Sequence, residues 1–265
     1  MARLTWIVIA ACFAIGTAGA DPTREELARG ASELATSCGK GDALACEALA
    51  SLYNVGAGVA KDQTRAVALY DRACTARIAS ACRAEGLMIS IGDGAPQDAA
   101  KAAPLFDKAC TANDAQACEM LGLLYRNGHG VAQDRVKAAT LYAKSCAGGS
   151  AEGCSSLGSV YLSGEGVAKD VAKGVAFLDR ACAGGAKMPC GMLGITYLVG
   201  KDVARDRPRA DTYFQRGCTL EDGYSCHALA REYQHGAGSA ADASQAGALE
   251  AKACKLGYAK ACGTP

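Results

Sequence analysis

The sequence is poor in aromatic side chains, in surplus charge of either sign and, beyond its first twenty residues, in long apolar runs. Aromatic residues make up 6% of the 265 positions while glycine and alanine are abundant, which excludes a core built on a few bulky rings. A hydrophobic fraction of 50% is still ample for a folded interior, so the composition fits thin helices packed at close range. No run after the leader is apolar and long enough to span a bilayer. The 28 Lys and Arg face 27 Asp and Glu, giving a net charge of +1 and no electrostatic reason to bind nucleic acid or an anionic membrane.

Catalytic and metal motifs are equally scarce. The histidines are His129, His227 and His235, none in a His-Glu-x-x-His arrangement, so neither a metal nor another cofactor is expected. Nucleophile elbow, phosphate loop and dinucleotide loop are absent, because the Gly-x-Gly turns at Gly56 to Gly58 and Gly128 to Gly130 end helices and follow no strand. A serine beta-lactamase needs Ser-x-x-Lys to set an amine beside its nucleophile, with Ser-Asp-Asn and Lys-Thr-Gly nearby. Ser37-Cys38-Gly39-Lys40 fits the first pattern and the other two are missing, which leaves Ser37 and Lys40 as weak catalytic candidates.

Residues 1–20 combine a basic start at Arg3, an apolar stretch from Leu4 to about Ala18 and the small residues Ala18-Gly19-Ala20. This is the pattern of a secretory signal peptide, cut after Ala20, and about 15 apolar residues are too few for a membrane span. Ile9-Ala10-Ala11-Cys12 also looks like a lipobox, which would leave Cys12 acylated as a lipid anchor. The apolar segment before it is only about eight residues and continues past it, which favours the signal peptide. Removing the leader takes Cys12 and Arg3 and leaves fourteen cysteines, an even number in a chain expected to be periplasmic or secreted.

Those fourteen form a ladder: Cys38/Cys46, Cys74/Cys82, Cys110/Cys118, Cys146/Cys154, Cys182/Cys190, Cys218/Cys226 and Cys254/Cys262. Partners are eight residues apart and pairs recur every 36 residues without slippage, the signature of a solenoid of stacked units. Two disulfide schemes suit antiparallel helices. Joining cysteines 28 apart, such as Cys46 to Cys74, strands Cys38 and Cys262; joining those eight apart leaves none over and is preferred.

Each unit reads as a helical hairpin. Asp42 caps a helix to about Val55 with Cys46, Leu49, Ala50 and Tyr53 on one stripe, and Gly56-Ala57-Gly58 ends it. Asp62 then caps a helix from about Gln63 to Cys74 with the stripe Ala66, Leu69, Tyr70 and Ala73. The second cap recurs as Asp98, Asp134, Asp170, Asp206 and Asp242, and the turn glycine as Gly92, Gly128, Gly164, Gly200 and Gly236. Residues 24–38 form a capping helix, about six full repeats follow over 42–257, and 258–265 are a stub, all in one domain from residue 21. Deviations stand out against this grammar. Glu85 replaces the stripe leucine and is expected to reach solvent through a local rotation, the alternative being a lined pocket there. Lys201-Asp202 replaces the second turn glycine, so that turn must differ, and Glu250 stands where the other copies carry an aromatic or leucine, on a stripe expected to be exposed.

The sequence Leu121-Gly122, Tyr125, Gly128, Gly130-Val131, Asp134, Lys137-Ala138, Leu141-Tyr142 and Cys146 resembles the Sel-like repeat, a relative of the tetratricopeptide repeat. Its cysteine spacing is similar to a cysteine-rich exported branch of that family. The resemblance implies an all-α fold, a right-handed α/α superhelix of disulfide-linked hairpins whose first helices line a concave surface. It further implies binding of protein partners or, as the alternative for the exported branch, beta-lactam binding or weak beta-lactamase activity. The expected groove positions vary between copies: Glu47, Ser51, Asn54; Arg83, Leu87, Ser90; Glu119, Leu123, Arg126; Ser155, Ser159, Leu162; Gly191, Ile195, Leu198; His227, Arg231, Gln234. A protein or peptide ligand is the expected partner, and the unusually apolar stretch from Leu162 to Leu198 either binds an apolar segment of it or packs against a neighbouring turn of the superhelix.

Overall fold

The computed structural model describes residues 23–234 and 243–263. The leader, Cys12, His235, Gly236 and Asp242 lie outside the described residues. The chain divides into two compact units, one up to Gln133 and one from Asp134. Among the described residues every regular element is helical. The first unit holds α1 (Arg24–Gly39), α2 (Ala43–Val55), α3 (Gln63–Thr75), α4 (Ala79–Ile91), α5 (Ala99–Thr111) and α6 (Ala115–Asn127). The second holds α7 (Arg135–Ala147), α8 (Ala151–Ser163), α9 (Val171–Ala183), α10 (Lys187–Val199), α11 (Arg207–Thr219), α12 (Gly223–Gln234) and α13 (Ala243–Lys255), followed by a single 3-10 turn at Ala259–Ala261. Each unit is a solenoid of helical hairpins, and consecutive helices within it pack in chain order.

Local chemistry explains the regular lengths. Asp62, Asp98, Asp134, Asp170 and Asp206 each accept a hydrogen bond from the backbone N–H three residues on, satisfying a donor that the helix leaves open. Gly56, Gly92, Gly128, Gly164 and Gly200 end the first helices in the left-handed conformation. Thr23 and Glu26 make a reciprocal capping box at the start of α1. Hairpins close on small residues: a Cβ at Gly86 would come within 2.9 Å of the Phe106 ring, and one at Gly158 within 2.8 Å of Leu178. The glycines therefore admit a bulky side chain from the second helix.

The bridges are Cys38–Cys46, Cys74–Cys82, Cys110–Cys118, Cys146–Cys154, Cys182–Cys190, Cys218–Cys226 and Cys254–Cys262, with Cα atoms 4.4 to 5.0 Å apart. Each ties the end of a second helix to the start of the next first helix; the last ends at Cys262, just after the 3-10 turn. Cys118, Cys154 and Cys226 stand on α6, α8 and α12, first helices expected to line the binding surface, yet each is 2% exposed or less. They face the core and add nothing to that surface. Their Sγ atoms also lie 3.6, 3.7 and 3.7 Å from the carbonyl oxygens of Cys110, Cys146 and Cys218. A bridged sulfur carries no proton to donate, so these are packing contacts made by the disulfide and not thiol hydrogen bonds.

A further link between repeats runs parallel to the bridges. Arg72, Arg180 and Lys252 donate at 2.9 Å to the carbonyls of Cys38, Cys146 and Cys218, 34 residues earlier. A cation is thereby placed on the negative end of the preceding second helix.

Two kinds of turn use positive φ for different reasons. At 41, 149, 185 and 257 the left-handed residue is glycine, yet at the same phase Arg77, Asn113 and Glu221 adopt φ of 64 to 68°. A Cβ at Gly41 or Gly149 meets nothing within 4 Å, so a side chain there bears only the backbone strain. At Gly58, Gly94 and Gly166 a Cβ would overlap the backbone opening an earlier helix, such as Gln63 and Thr64 for Gly94. Asp202 occupies this phase without positive φ, so its turn does differ; its carboxylate instead pairs with Lys169 at 3.2 Å. Gly94→Ala should lower the melting temperature clearly more than Gly149→Ala, by roughly 1–3 against about 1 kcal/mol. Equal losses in thermal circular dichroism would show that close approach at Gly94 contributes nothing.

Candidate functional site

The first helices of the hairpins supply the candidate surface: α2, α4 and α6 in the first unit, α8, α10 and α12 in the second. In each unit one contact joins two successive members. In the first unit Arg83 of α4 pairs at 2.9 Å with Asp114, the N-cap of α6. In the second, a Cβ at Gly191 of α10 would lie only 3.0 to 3.1 Å from Asp222, Tyr224 and Ser225 at the start of α12. Asp222 is held there by Ser225, which donates to it from both its N–H and its hydroxyl.

Several expected groove residues have structural partners. Ser51 shares a 2.9 Å hydrogen bond with the Tyr70 hydroxyl inside its own hairpin. Glu47 and Asn54 are half-buried beside it on α2, and Glu119, Leu123 and Arg126 are half-buried on α6. Ser90 and Ser159 turn their hydroxyls back to the carbonyls of Leu87 and Ser155. Leu162 lies against Gly174 of α9, and both Leu162 and Leu198 belong to the packed cluster around Leu178, Leu193 and Phe214. Leu87 is 37% exposed, while Arg231 and Gln234 project from α12 into solvent.

The solvent-facing apolar row is therefore not the whole stretch from Leu162 to Leu198 but one edge of α10. Met188, Ile195 and Val199 are 72, 43 and 62% exposed, with half-buried Met192 between them. They repeat at helical spacing on the side away from the core residues Cys190, Leu193, Gly194 and Tyr197. Met188, Gly191, Met192 and Ile195 line a shallow cavity of about 320 Å³, bounded by Asp222, just before α12, and Tyr224 of α12. The spacing 188, 192, 195, 199 was legible as a second stripe. The roles of Asp222 and Tyr224 were not, because they reach the cavity from the next repeat.

Tyr224 packs edge-on to Phe214 and Tyr258, with centroids 6.4 and 5.9 Å away. His227 sits 5.1 Å from the Tyr258 ring and pairs at 2.8 Å with Glu250. Glu250 is thus half-buried and paired, contrary to the exposed stripe expected of it. Ser37 and Lys40 do not form a catalytic pair. Ser37 is in the last turn of α1 and its carbonyl accepts from the N–H groups of Lys40 and Asp42, but neither side chain bonds to a described residue. His129 is exposed in its turn. Among the described residues no group of three or more His, Cys, Asp or Glu is placed to hold a metal ion, and no helix is long and apolar enough to cross a membrane. A second cavity of about 590 Å³ lies off this surface, at the ends of α3 and α5 between Arg77, Asp107, Lys108 and Thr111.

Glu85 overturns its expectation. No rotation carries it to water: the residue is 6% exposed on α4, and its Oε2 has no partner among the described residues. Burial pushes its carboxyl up to about 7, helped by the charge of Asp71 on α3 and opposed by Lys108 on α5. The folded chain therefore holds a proton that the unfolded chain releases. Stability on this account is full below the ordinary value near 4.5 and declines as pH rises through about 7. The loss amounts to about 3 kcal/mol at most. Glu85→Leu, restoring the residue of the other repeats, should raise the melting temperature at pH 8 far more than at pH 4. An equal effect at both pH values in thermal scans would mean that the carboxylate is solvated.

With this geometry in place, the chain can be set beside known proteins. The Sel1 repeat pattern matches residues 43–77, 79–114, 115–150, 151–185, 190–222 and 223–258. Among solved structures, c5321, a protective antigen present in uropathogenic Escherichia coli strains and displaying an SLR fold, is 28% identical with a TM-score of 0.80. That alignment covers 87% of this chain and 50% of the other, so this chain spans about half the length of that protein. A Sel1 repeat protein from Oxalobacter formigenes is 26% identical with a TM-score of 0.82, over 98% of this chain and 73% of its own. The immunity protein Pa5087 from Pseudomonas aeruginosa shares the fold at 22% identity and a TM-score of 0.52, over 82% of this chain and 81% of its own. No curated protein matches the chain. Six successive matches, on the same hairpins that the caps, turns and bridges delimit, show that the protein belongs to the Sel1 repeat family.

Proposed function

We propose that this chain is an exported adaptor, a disulfide-braced repeat scaffold that holds a protein or peptide segment on the face of its first helices. The observation that carries the reading is the apolar row of α10. Folding removes apolar side chains from water wherever packing allows, and Met188, Ile195 and Val199 stay out beside a cavity. Isolated exposed apolar residues need no explanation, but a row at helical spacing around a cavity suits an apolar segment of a partner. Methionine adapts its shape to such a segment at little cost. Within the same unit, expected groove residues on the other first helices, Ser159 of α8 and Arg231 of α12, differ from copy to copy while the framework repeats, and so supply specificity. The bridges keep the surface ordered before binding, so less freedom is lost on association.

Seven disulfides suit an oxidising compartment and support the export read from residues 1–20. The beta-lactam alternative rests on resemblance alone; no feature around Ser37 and Lys40 favours it. Crosslinked pull-down from the native envelope fraction tests the adaptor reading, with Met188→Gln, Met192→Gln and Ile195→Gln combined as the control. A partner should be enriched by the unaltered chain and lost, by at least about tenfold, from a variant of unchanged melting temperature. The same proteins recovered by both would remove the α10 face from the account. Purified protein should leave a chromogenic cephalosporin intact, and turnover abolished by Ser37→Ala would replace the adaptor with an enzyme.

A further inference from the structure

Six of the seven bridges are sealed in the repeats, every one of their twelve cysteines being 5% exposed or less. The seventh is different: Cys254 is half-buried and Cys262 is exposed. Cys118, Cys154 and Cys226, the counterparts of Cys262 in earlier repeats, are each 2% exposed or less. Exchange requires a thiolate to reach one sulfur with the other free to leave, so access separates this bridge from the rest. Charge separates it as well. Residues 252–262 carry Lys252, Lys255 and Lys260 and no acidic side chain. Lys252 is engaged with the Cys218 carbonyl at 2.9 Å, while Lys255 and Lys260 face solvent.

We propose that the Cys254–Cys262 bridge is a thiol–disulfide exchange site for a small anionic thiol of the glutathione class. The external thiolate bonds to Cys262 Sγ, the Cys254–Cys262 bond breaks, and its electron pair leaves on Cys254 Sγ, which takes a proton from water. Cys262 is then in a mixed disulfide. A second external thiolate attacks the external sulfur of that mixed disulfide, frees Cys262 as a thiolate and departs as the oxidised dimer of the thiol. Two external thiols are oxidised as one bridge is reduced, and no further oxidant or reductant is needed. Lys255 and Lys260 draw the anionic thiol in and stabilise the leaving thiolate. Exchange unties the segment that carries Tyr258, whose ring packs on Tyr224 and His227. The other six bridges, closed to the reagent, keep the hairpins joined.

The test uses the full oxidised chain, incubated under native conditions with reduced glutathione, quenched, alkylated and mapped by peptide mass over time. A glutathione adduct on Cys262 and alkylation of Cys254 should appear at least about tenfold faster than labelling of any other cysteine. In Cys254→Ser/Cys262→Ser the adduct should be absent over the same interval. Lys255→Glu/Lys260→Glu should slow glutathione severalfold while neutral mercaptoethanol reacts nearly as before. Opening of the other bridges at the same rate, or an adduct formed in the serine variant, overturns the site. Equal slowing of both thiols by the lysine changes overturns its preference for an anion.

Discussion

The covalent step between repeats governs much of this structure. A hairpin of about thirty residues built on alanine and glycine buries too little apolar surface to offset the cost of ordering its backbone. In a solenoid the deficit is met by the neighbour, and the eight-residue bridge fixes where the neighbour sits. With the last turn of one second helix bound to the first turn of the next, the small stripe residues are brought to the distance at which they pack. The cation that Arg72, Arg180 or Lys252 sets on a carbonyl one repeat back fixes the same junction from the other side. Ring stacking adds to the hairpins of the second unit, where Tyr161 lies over Phe177 and Tyr197 over Tyr213.

A framework held this way tolerates departures from its own rule, and the departures carry the individuality of the chain. Glu85 sits where five repeats have leucine and keeps its place because its hairpin and bridges are specified by other residues. Asp202 replaces a glycine that its counterparts require, and the turn changes its backbone to suit. Glu250 stands where other copies have an aromatic residue or leucine and hydrogen-bonds His227 instead. The α10 edge follows the same logic: its inward face obeys the repeat, which leaves its outward face open to methionine, isoleucine and valine.

Variation between copies has more than one structural meaning. Some varying positions, such as Leu87, Ile195 and Arg231, are left in solvent, but variation also marks positions that do different structural work in different copies. Arg83 varies because it meets Asp114, His227 because it meets Glu250, and Leu162 because it fills the space over Gly174. Sequence comparison among repeats cannot separate these cases, since each partner lies on another helix.

What the sequence by itself determined is everything local and periodic. The 36-residue step, the aspartate caps, the glycine ends and the pairing of cysteines eight apart are set by contacts within one or two turns of chain. Tertiary structure decided what depends on the neighbouring repeat. It buried Glu85 without a partner for Oε2 and brought Asp222 and Tyr224 to the cavity of α10. It also sealed Cys118, Cys154 and Cys226 in the core and left Cys262 alone among fourteen bridge cysteines exposed to solvent. The physical reason is that burial and charge are summed over every element packed around a side chain, whereas caps, turns and spacing are written in the segment that forms them.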